Sequence, residues 1–217
     1  MTDLDLKRNV EAELSWEPSV KSAAAIGVRV KDGVVTLSGY VESYAEKLAA
    51  ERAATRVAGV KAVANDIEVR LPNSSERTDE DIARAAANAL EWTSGIPRDQ
   101  IKVAVDKGWI TLKGTVDWNY QRAAAEDAVR YLTGVKGVIN LIEVRPTLNK
   151  TIVKNAIEEA LKRDAEIDAQ RIEVETTGSK VILRGTVHSW FEKKEAERVA
   201  WQAPGVTQVE NQIAVAA

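Results

Sequence analysis

The chain contains no cysteine and one histidine in 217 residues. The first absence excludes disulfide frameworks, thiolate zinc sites and cysteine nucleophiles. The second leaves a transition-metal site without the several His or Cys ligands it needs. No stretch approaches the roughly 20 consecutive apolar residues that cross a bilayer. The opening Met1-Thr2-Asp3-Leu4-Asp5-Leu6-Lys7-Arg8 is polar and lacks the basic and then apolar segments of a secretory signal, so a soluble, cytoplasmic protein is expected. Neither sign of charge dominates: 30 Lys and Arg stand against 33 Asp and Glu. Residues 1–72, 73–147 and 148–217 each hold 10 basic and 11 acidic residues, so no block is basic enough to bind nucleic acid through phosphate. Aromatic residues make up 5% of the chain, few enough for their placement to be informative.

What the chain does have is one module written three times. The first copy carries Asp32-Gly33-Val34-Val35-Thr36-Leu37-Ser38-Gly39-Tyr40-Val41, the second Lys107-Gly108-Trp109-Ile110-Thr111-Leu112-Lys113-Gly114-Thr115-Val116, and the third Gly178-Ser179-Lys180-Val181-Ile182-Leu183-Arg184-Gly185-Thr186-Val187. Gly59, Gly134 and Gly205 each follow the second glycine of their copy by 20 residues, and Asn65, Asn140 and Asn211 follow six later. Offsets of 75 and then 71 are kept throughout, which identifies a tandem repeat. The expected domains are residues 1–71, 77–146 and 149–217, joined by Leu71 to Glu76 and by Pro146 to Asn149. Units this small bury only about 60% of their unfolded surface, so each is expected to be marginally stable.

Within a copy, the periods alternate between helix and strand. Leu6, Val10 and Leu14 are spaced by four, as are Ile82, Ala86 and Leu90, and Val153, Ile157 and Leu161, which predicts an amphipathic first helix. Asp79 is expected to cap the second copy's helix. Pro18 and Gly95-Ile96-Pro97 interrupt the helical pattern. Ile26, Val28, Val30 and their counterparts alternate as a strand does, and the turn glycines Gly33, Gly108 and Gly178 reverse the chain into a second strand. Gly39, Gly114 and Gly185 lie inside that strand, where a glycine marks a bulge or a close approach; a helix is expected to lie against them. Ser43 with Glu46 and Ser189 with Glu192 read as capping boxes opening a second helix, and Trp118 takes the serine position in the second copy. That helix buries mostly alanine, and Gly59, Gly134 and Gly205 are expected to end it. A last strand closes the copy. The predicted fold is α+β: three tandem α-β-β-α-β repeats, each with two helices on one face of a three-stranded sheet.

The helix, the D-G-V-V-T-L-S-G-x-V hairpin, the S-x-x-E-x-x-x-A helix start and the V-x-G-V-x-x-V-x-N ending together resemble the BON domain, named for bacterial OsmY and nodulation. The resemblance covers nearly the whole chain and departs at Gly178-Ser179, where the turn glycine moves by one residue and the turn type is expected to change. It implies a non-enzymatic module that contacts phospholipid or other surfaces, tied to osmotic or envelope stress. It also implies, through some cytoplasmic relatives, an association with potassium sensing. It carries no ligand motif onto numbered positions.

Reactive constellations are scarce. His188 adjoins Ser189, but neighbouring residues do not present their side chains to each other as a nucleophile and base, and an exposed loop histidine is expected. Asp79-Glu80-Asp81, Glu158-Glu159, and Asp164 with Glu166 and Asp168 lack the glycine turn and distal glutamate of a calcium loop; solvated or helix-start charges are expected. The glycines do not follow phosphate-loop spacing. The three asparagines are expected to bond nearby backbone. No cofactor is implied.

The aromatic residues are the best lead. Trp118 and Tyr120 flank the second helix start of the second copy, Trp190 and Phe191 sit there in the third, and Tyr40 and Tyr44 in the first. Trp16 and Trp92 match each other at the end of the first helix. Aromatics at element edges suit wet interfaces and bilayer headgroups. With nearby Arg122, Lys193 and Lys194 they form the candidate contact surface. Two binding roles compete, peripheral contact with an anionic phospholipid surface and a protein-interaction scaffold whose three copies give avidity, with monovalent cation (potassium) sensing third.

Overall fold

The structure, a computed structural model, describes residues 2–97, 99–145, 154–164 and 169–216. The chain gathers into two compact units, one of residues 1–39, 49–67 and 148–217, the other of residues 40–48 and 68–147. The first repeat runs α1 (Asp3–Trp16), β1 (Ile26–Lys31), β2 (Val34–Val41), α2 (Tyr44–Arg56) and β3 (Ala62–Val69). The second runs α3 (Asp79–Trp92), β4 (Ile101–Asp106), β5 (Trp109–Val116), α4 (Asn119–Val129) and β6 (Gly137–Val144). The third runs α5 (Lys154–Arg163), β7 (Ile172–Thr177), β8 (Lys180–Val187), α6 (Trp190–Trp201) and a last strand in two pieces, β9 (Gln208–Asn211) and β10 (Ala214–Val215). This is the predicted α+β repeat. In each sheet the middle strand pairs with the first strand on one side, antiparallel, and with the last on the other. The last pairing is parallel in the second and third repeats.

The helical stripes are where the periodicity puts them: Leu6, Val10, Leu14, Ile82, Ala86, Leu90, Ile157 and Leu161 are all buried. Val153 and the second linker lie outside the described residues. Asp79 is not the cap of α3. Thr78 is, its hydroxyl accepting from Asp81 N–H, as Thr2 does from Asp5 N–H in α1. Asp79 instead turns its carboxylate to the hairpin, accepting from Lys107 N–H at 2.7 Å and Gly108 N–H at 2.8 Å. Asp3 does the same for Asp32 and Gly33. In both of these turns the two central residues have positive φ, Asp32 53° and Gly33 80°, Lys107 51° and Gly108 82°, the signature of a type I′ hairpin. In the third repeat Gly178 has φ 60° and Ser179 is not in the positive region. The turn has changed towards type II′, in which only the first central residue requires positive φ.

Gly39, Gly114 and Gly185 correct a second expectation. No α-helix is among their nearest neighbours; in the first and third repeats they face the ends of short 3₁₀ turns, Ala23–Ala25 and Ala169–Arg171. A Cβ at these positions would meet the carbonyl oxygens of Ala25, Gln100 and Arg171 at 2.1, 2.0 and 1.8 Å, on the backbone entering the neighbouring first strand. Their φ values are 116°, 153° and 129°. Gly59, Gly134 and Gly205 also stand elsewhere than expected. The helices stop at Arg56, Val129 and Trp201, and these glycines hold positive φ in the tight turn that follows.

The three asparagines share two partners in every copy. Each Oδ1 accepts from the backbone two residues on: Ile67, Ile142 and Ile213 N–H at 3.3, 3.2 and 3.2 Å. Each Nδ2 donates to a glutamate of the second helix, Glu51, Glu126 or Glu197. In the second and third repeats it also donates to the helix carbonyls of Arg122 and Lys193. The side chain thus fastens the last strand to the second helix. The helix can come this close because the residues it buries are small: Ala49, Ala50, Ala53 and Ala54; Ala125 and Val129; Ala196, Val199 and Ala200.

A charged clasp joins the ends of the two helices in the first repeat. Arg56 donates to Glu17 at 2.8 Å and to Glu13 at 2.9 and 3.1 Å. The Arg56 bond, followed by those from Ser19, holds the Glu17 carboxyl at about 2 rather than 4.5. The third repeat has a related pair, Asp164 and Arg198 at 3.3 Å, with the arginine one helical turn earlier on the second helix. The second has Thr93, whose hydroxyl bonds back to Ala89.

Three outcomes are expected. Gly114→Val should lower the stability of the second repeat by about 1–3 kcal/mol or more, because strained φ and a backbone clash add; an unchanged melting curve would remove the close approach from the account. Asn140→Leu should cost about 1–3 kcal/mol by stranding the Ile142 N–H, and a midpoint within error of the parent's would contradict the bridge. Because folding lowers the Glu17 pKa, its stabilisation is complete above about pH 4.5 and is lost as pH falls towards about 2. Arg56→Gln should therefore flatten the acid limb of urea midpoints measured across that window. A parent and variant that fall in parallel would show that the clasp is not linked to folding.

Candidate binding surface

The start of the second helix is built the same way in the first and third repeats and differs at two positions in the second, Trp118 and Gln121. Ser43 and Ser189 accept from Glu46 and Glu192 N–H, as a capping box requires. The returning carboxylates bond one residue earlier than the motif predicts, at Glu42 N–H and His188 N–H. In the second repeat the glutamate is Gln121, 8% exposed. Its side-chain oxygen accepts from Asp117 and Trp118 N–H at 3.1 and 3.0 Å, and its nitrogen donates to Gly95 O at 3.0 Å. A carboxylate could not make the last bond, because it has no proton to give. Gln121 therefore ties the loop after α3 to the start of α4, and the Tyr120 ring lies against Gly95. The signal was legible: aligning the copies sets Gln121 beside Glu46 and Glu192.

That tie gathers aromatics at one end of the second repeat. Trp92 ends α3 with 85% of its surface exposed, and beyond the loop come Trp118 at 37% and Tyr120 at 61%. Trp16, at the matching place in the first repeat, is 82% exposed. Tyr44 is half-buried, beside a small cleft shared with Leu71 and Tyr131. In the third repeat Phe191 is exposed, while Trp190 is half-buried under Lys193, whose Nζ lies 5.1 Å from the ring centroid. That spacing permits a cation–π contact. Lys194 is exposed and Arg122 half-buried. Tyr40 of the first repeat is exposed, and two exposed aromatics outside the predicted set are Trp109 and Tyr131; Arg70 and Arg130 lie over the Tyr40 and Tyr131 rings.

The groups considered for catalysis and metal binding have structural partners. The Ser189 hydroxyl caps α6, and His188 Nε2 sits 3.1 Å from Arg171. Glu158 pairs with Lys154, Glu159 with Lys162, and Asp164 with Arg198. Glu166 and Asp168 lie outside the described residues. Among the described residues no three His, Cys, Asp or Glu side chains come together as metal ligands.

Comparison with known proteins agrees with the repeat. The BON domain family model matches residues 2–70, 78–146 and 149–217. The chain belongs to the BON domain family. Osmotically-inducible protein Y of Escherichia coli (strain K12) is 31% identical over 154 residues, covering 67% of this chain and 74% of that protein. Among solved structures, the C-terminal domain of CdsD, the structural protein of the type III secretion system of Chlamydia trachomatis, covers all of both chains at 15% identity with a TM-score of 0.26. A second CdsD structure covers 98% of this chain and 92% of its own, also at 15% identity, with a TM-score of 0.24. The glycines and asparagines repeat in all three BON copies, whereas the aromatic residues at the second helix start differ among them.

Proposed function

We propose that this BON protein is a non-enzymatic binding protein that makes peripheral contact with phospholipid surfaces, in a stress-linked role akin to that named for its osmotically inducible relative. The observation that carries the reading is the exposure of Trp16 and Trp92, 82% and 85%, at the same place in two repeats. Tyr120 and Phe191 supplement them at helix starts. Amphipathic aromatic rings at element ends are suited to the headgroup zone. With a net charge of −3 the chain has no general attraction to anionic lipid, so ring insertion supplies the affinity and Lys193, Lys194 and Arg122 supply local charge. Membrane surfaces are reached from outside: among the described residues no helix is long and apolar enough to cross one. A lack of catalysis is supported by the family assignment and by the capping role of Ser189.

The test uses intrinsic tryptophan fluorescence with vesicles of phosphatidylglycerol and of phosphatidylcholine. A blue shift with the anionic vesicles is expected, weakening as salt screens the contact. It should be reduced in a Trp16→Ala, Trp92→Ala, Tyr120→Ala variant that melts like the parent. No shift with either lipid would overturn the reading.

A further inference from the structure

The second repeat has an open cleft of about 500 Å³ between α3 and β4, walled by Ala83, Ala87, Leu90, Ile96, Ile101 and Val103. The other two copies are built differently at these positions. Where the second has Ala83 and Ala87, the first has the ion pair Lys7–Glu11 at 3.6 Å and the third Lys154–Glu158 at 3.5 Å. Long charged side chains cover apolar surface with their stems, and alanine cannot. Ala86 stands where the others have Val10 and Ile157. Val20 plugs the first repeat at 6% exposure, whereas its counterpart Ile96 is half-buried. The effect shows on the strand. Ile26, Val28, Ile172 and Val174 are buried in β1 and β7, while Ile101 and Val103 of β4 are half-exposed. The charged clasp that closes the helix ends in the first and third repeats is replaced by Thr93.

Two further features say what fits. β4 is an edge strand whose partner is β5, so among the described residues its outer backbone groups have no ladder to join. Among the described residues α3, β4 and the loop between them wall the cleft and β5 does not, so the cleft lies on the β4 side of the repeat, next to that free edge. Glu91 and Asp99 also line it, both exposed and neither ion-paired to a described residue. A fatty carboxylate or lipid phosphate would be repelled by these two carboxylates and would leave the strand edge unused. A peptide would use all three features, since strand addition takes affinity from backbone bonds and specificity from alternate side chains.

We propose that this cleft takes an extended segment of a partner polypeptide. The segment adds to β4 as a fourth strand, seats an apolar side chain against Ala83 and Ala87, and lays a lysine or arginine beside Glu91 and Asp99. The site is independent of the lipid contact proposed above.

The test uses the full chain, labelled for amide NMR, with the peptide acetyl-Lys-Val-Lys-Val-Lys-Val-amide, its Glu-Val counterpart and dihexanoylphosphatidylglycerol as probes. The Lys-Val peptide should shift the amides of residues 101–106 and 83–91 and slow hydrogen exchange along β4; the Glu-Val peptide should not. Ala83→Lys with Ala87→Glu, which installs the residues of the other copies, should weaken binding by about tenfold or more. Glu91→Gln with Asp99→Asn should remove the preference for the basic peptide, and it leaves the cleft walls untouched should the first variant disturb the fold. The proposal is overturned by silence of β4 at millimolar peptide, by equal response to both peptides, by binding that survives Ala83→Lys with Ala87→Glu, or by shifts at β4 with the lipid alone.

Discussion

One asparagine side chain fixes how the last strand of each repeat meets the second helix, and most of the module is arranged around its short reach. Asn65, Asn140 and Asn211 each accept from their own strand two residues on and donate across to the helix. An amide that bonds both ways in a half-buried place leaves little freedom in the spacing of the elements it joins. The helix must come close, which explains its buried face of alanine and valine. The strand must be in register, and backbone bonds at both ends see to that. Lys61, Lys136 and Thr207 N–H bond to the hairpin turn, and Arg70, Arg145 and Ala216 N–H bond to the end of the middle strand. In the third repeat the strand breaks between Asn211 and Ala214, yet Ile213 remains buried and the asparagine keeps its bonds.

With the frame held by backbone, glycine and asparagine, the outer surfaces are free to differ. The first repeat is the most closed, with Val20 buried in its loop and Arg56 clasping both Glu13 and Glu17. The second gives up the clasp and the surface ion pair, takes Gln121 in place of glutamate to hold its loop, and presents both an aromatic end and an open cleft. The third pairs Lys193 with Trp190 and changes its hairpin turn. Three copies of one fold thus present three different surfaces.

The fold was legible because its signals are local and occur three times. Stripes of period four, alternating strands and turn glycines each report on a few neighbouring residues, and agreement between copies removes ambiguity. What was misread depends on contacts distant in sequence. Asp79 has the right character for a helix cap, and nothing nearby shows that its partner is a turn 29 residues away. Gly114 announces a close approach without saying to what, and the neighbour is the backbone at Gln100. Gln121 and the Ala83, Ala87 pair could have been found by comparing the copies for departures as well as agreements. Trp16 and Trp92 were legible as edge aromatics, but their exposure is a property of the packed structure.

Native-state hydrogen exchange on the full chain tests the asparagine bridge most directly. The amides of Ile67, Ile142 and Ile213 are the donors each asparagine captures. If the bridge holds the last strand to the helix, they should exchange only in the same opening that releases the middle strand of their own repeat, with one common free energy. Exchange of these amides at the rate of frayed ends, while Leu37, Leu112 and Leu183 stay protected, would show that the last strand is held by its ladder alone and would contradict the account.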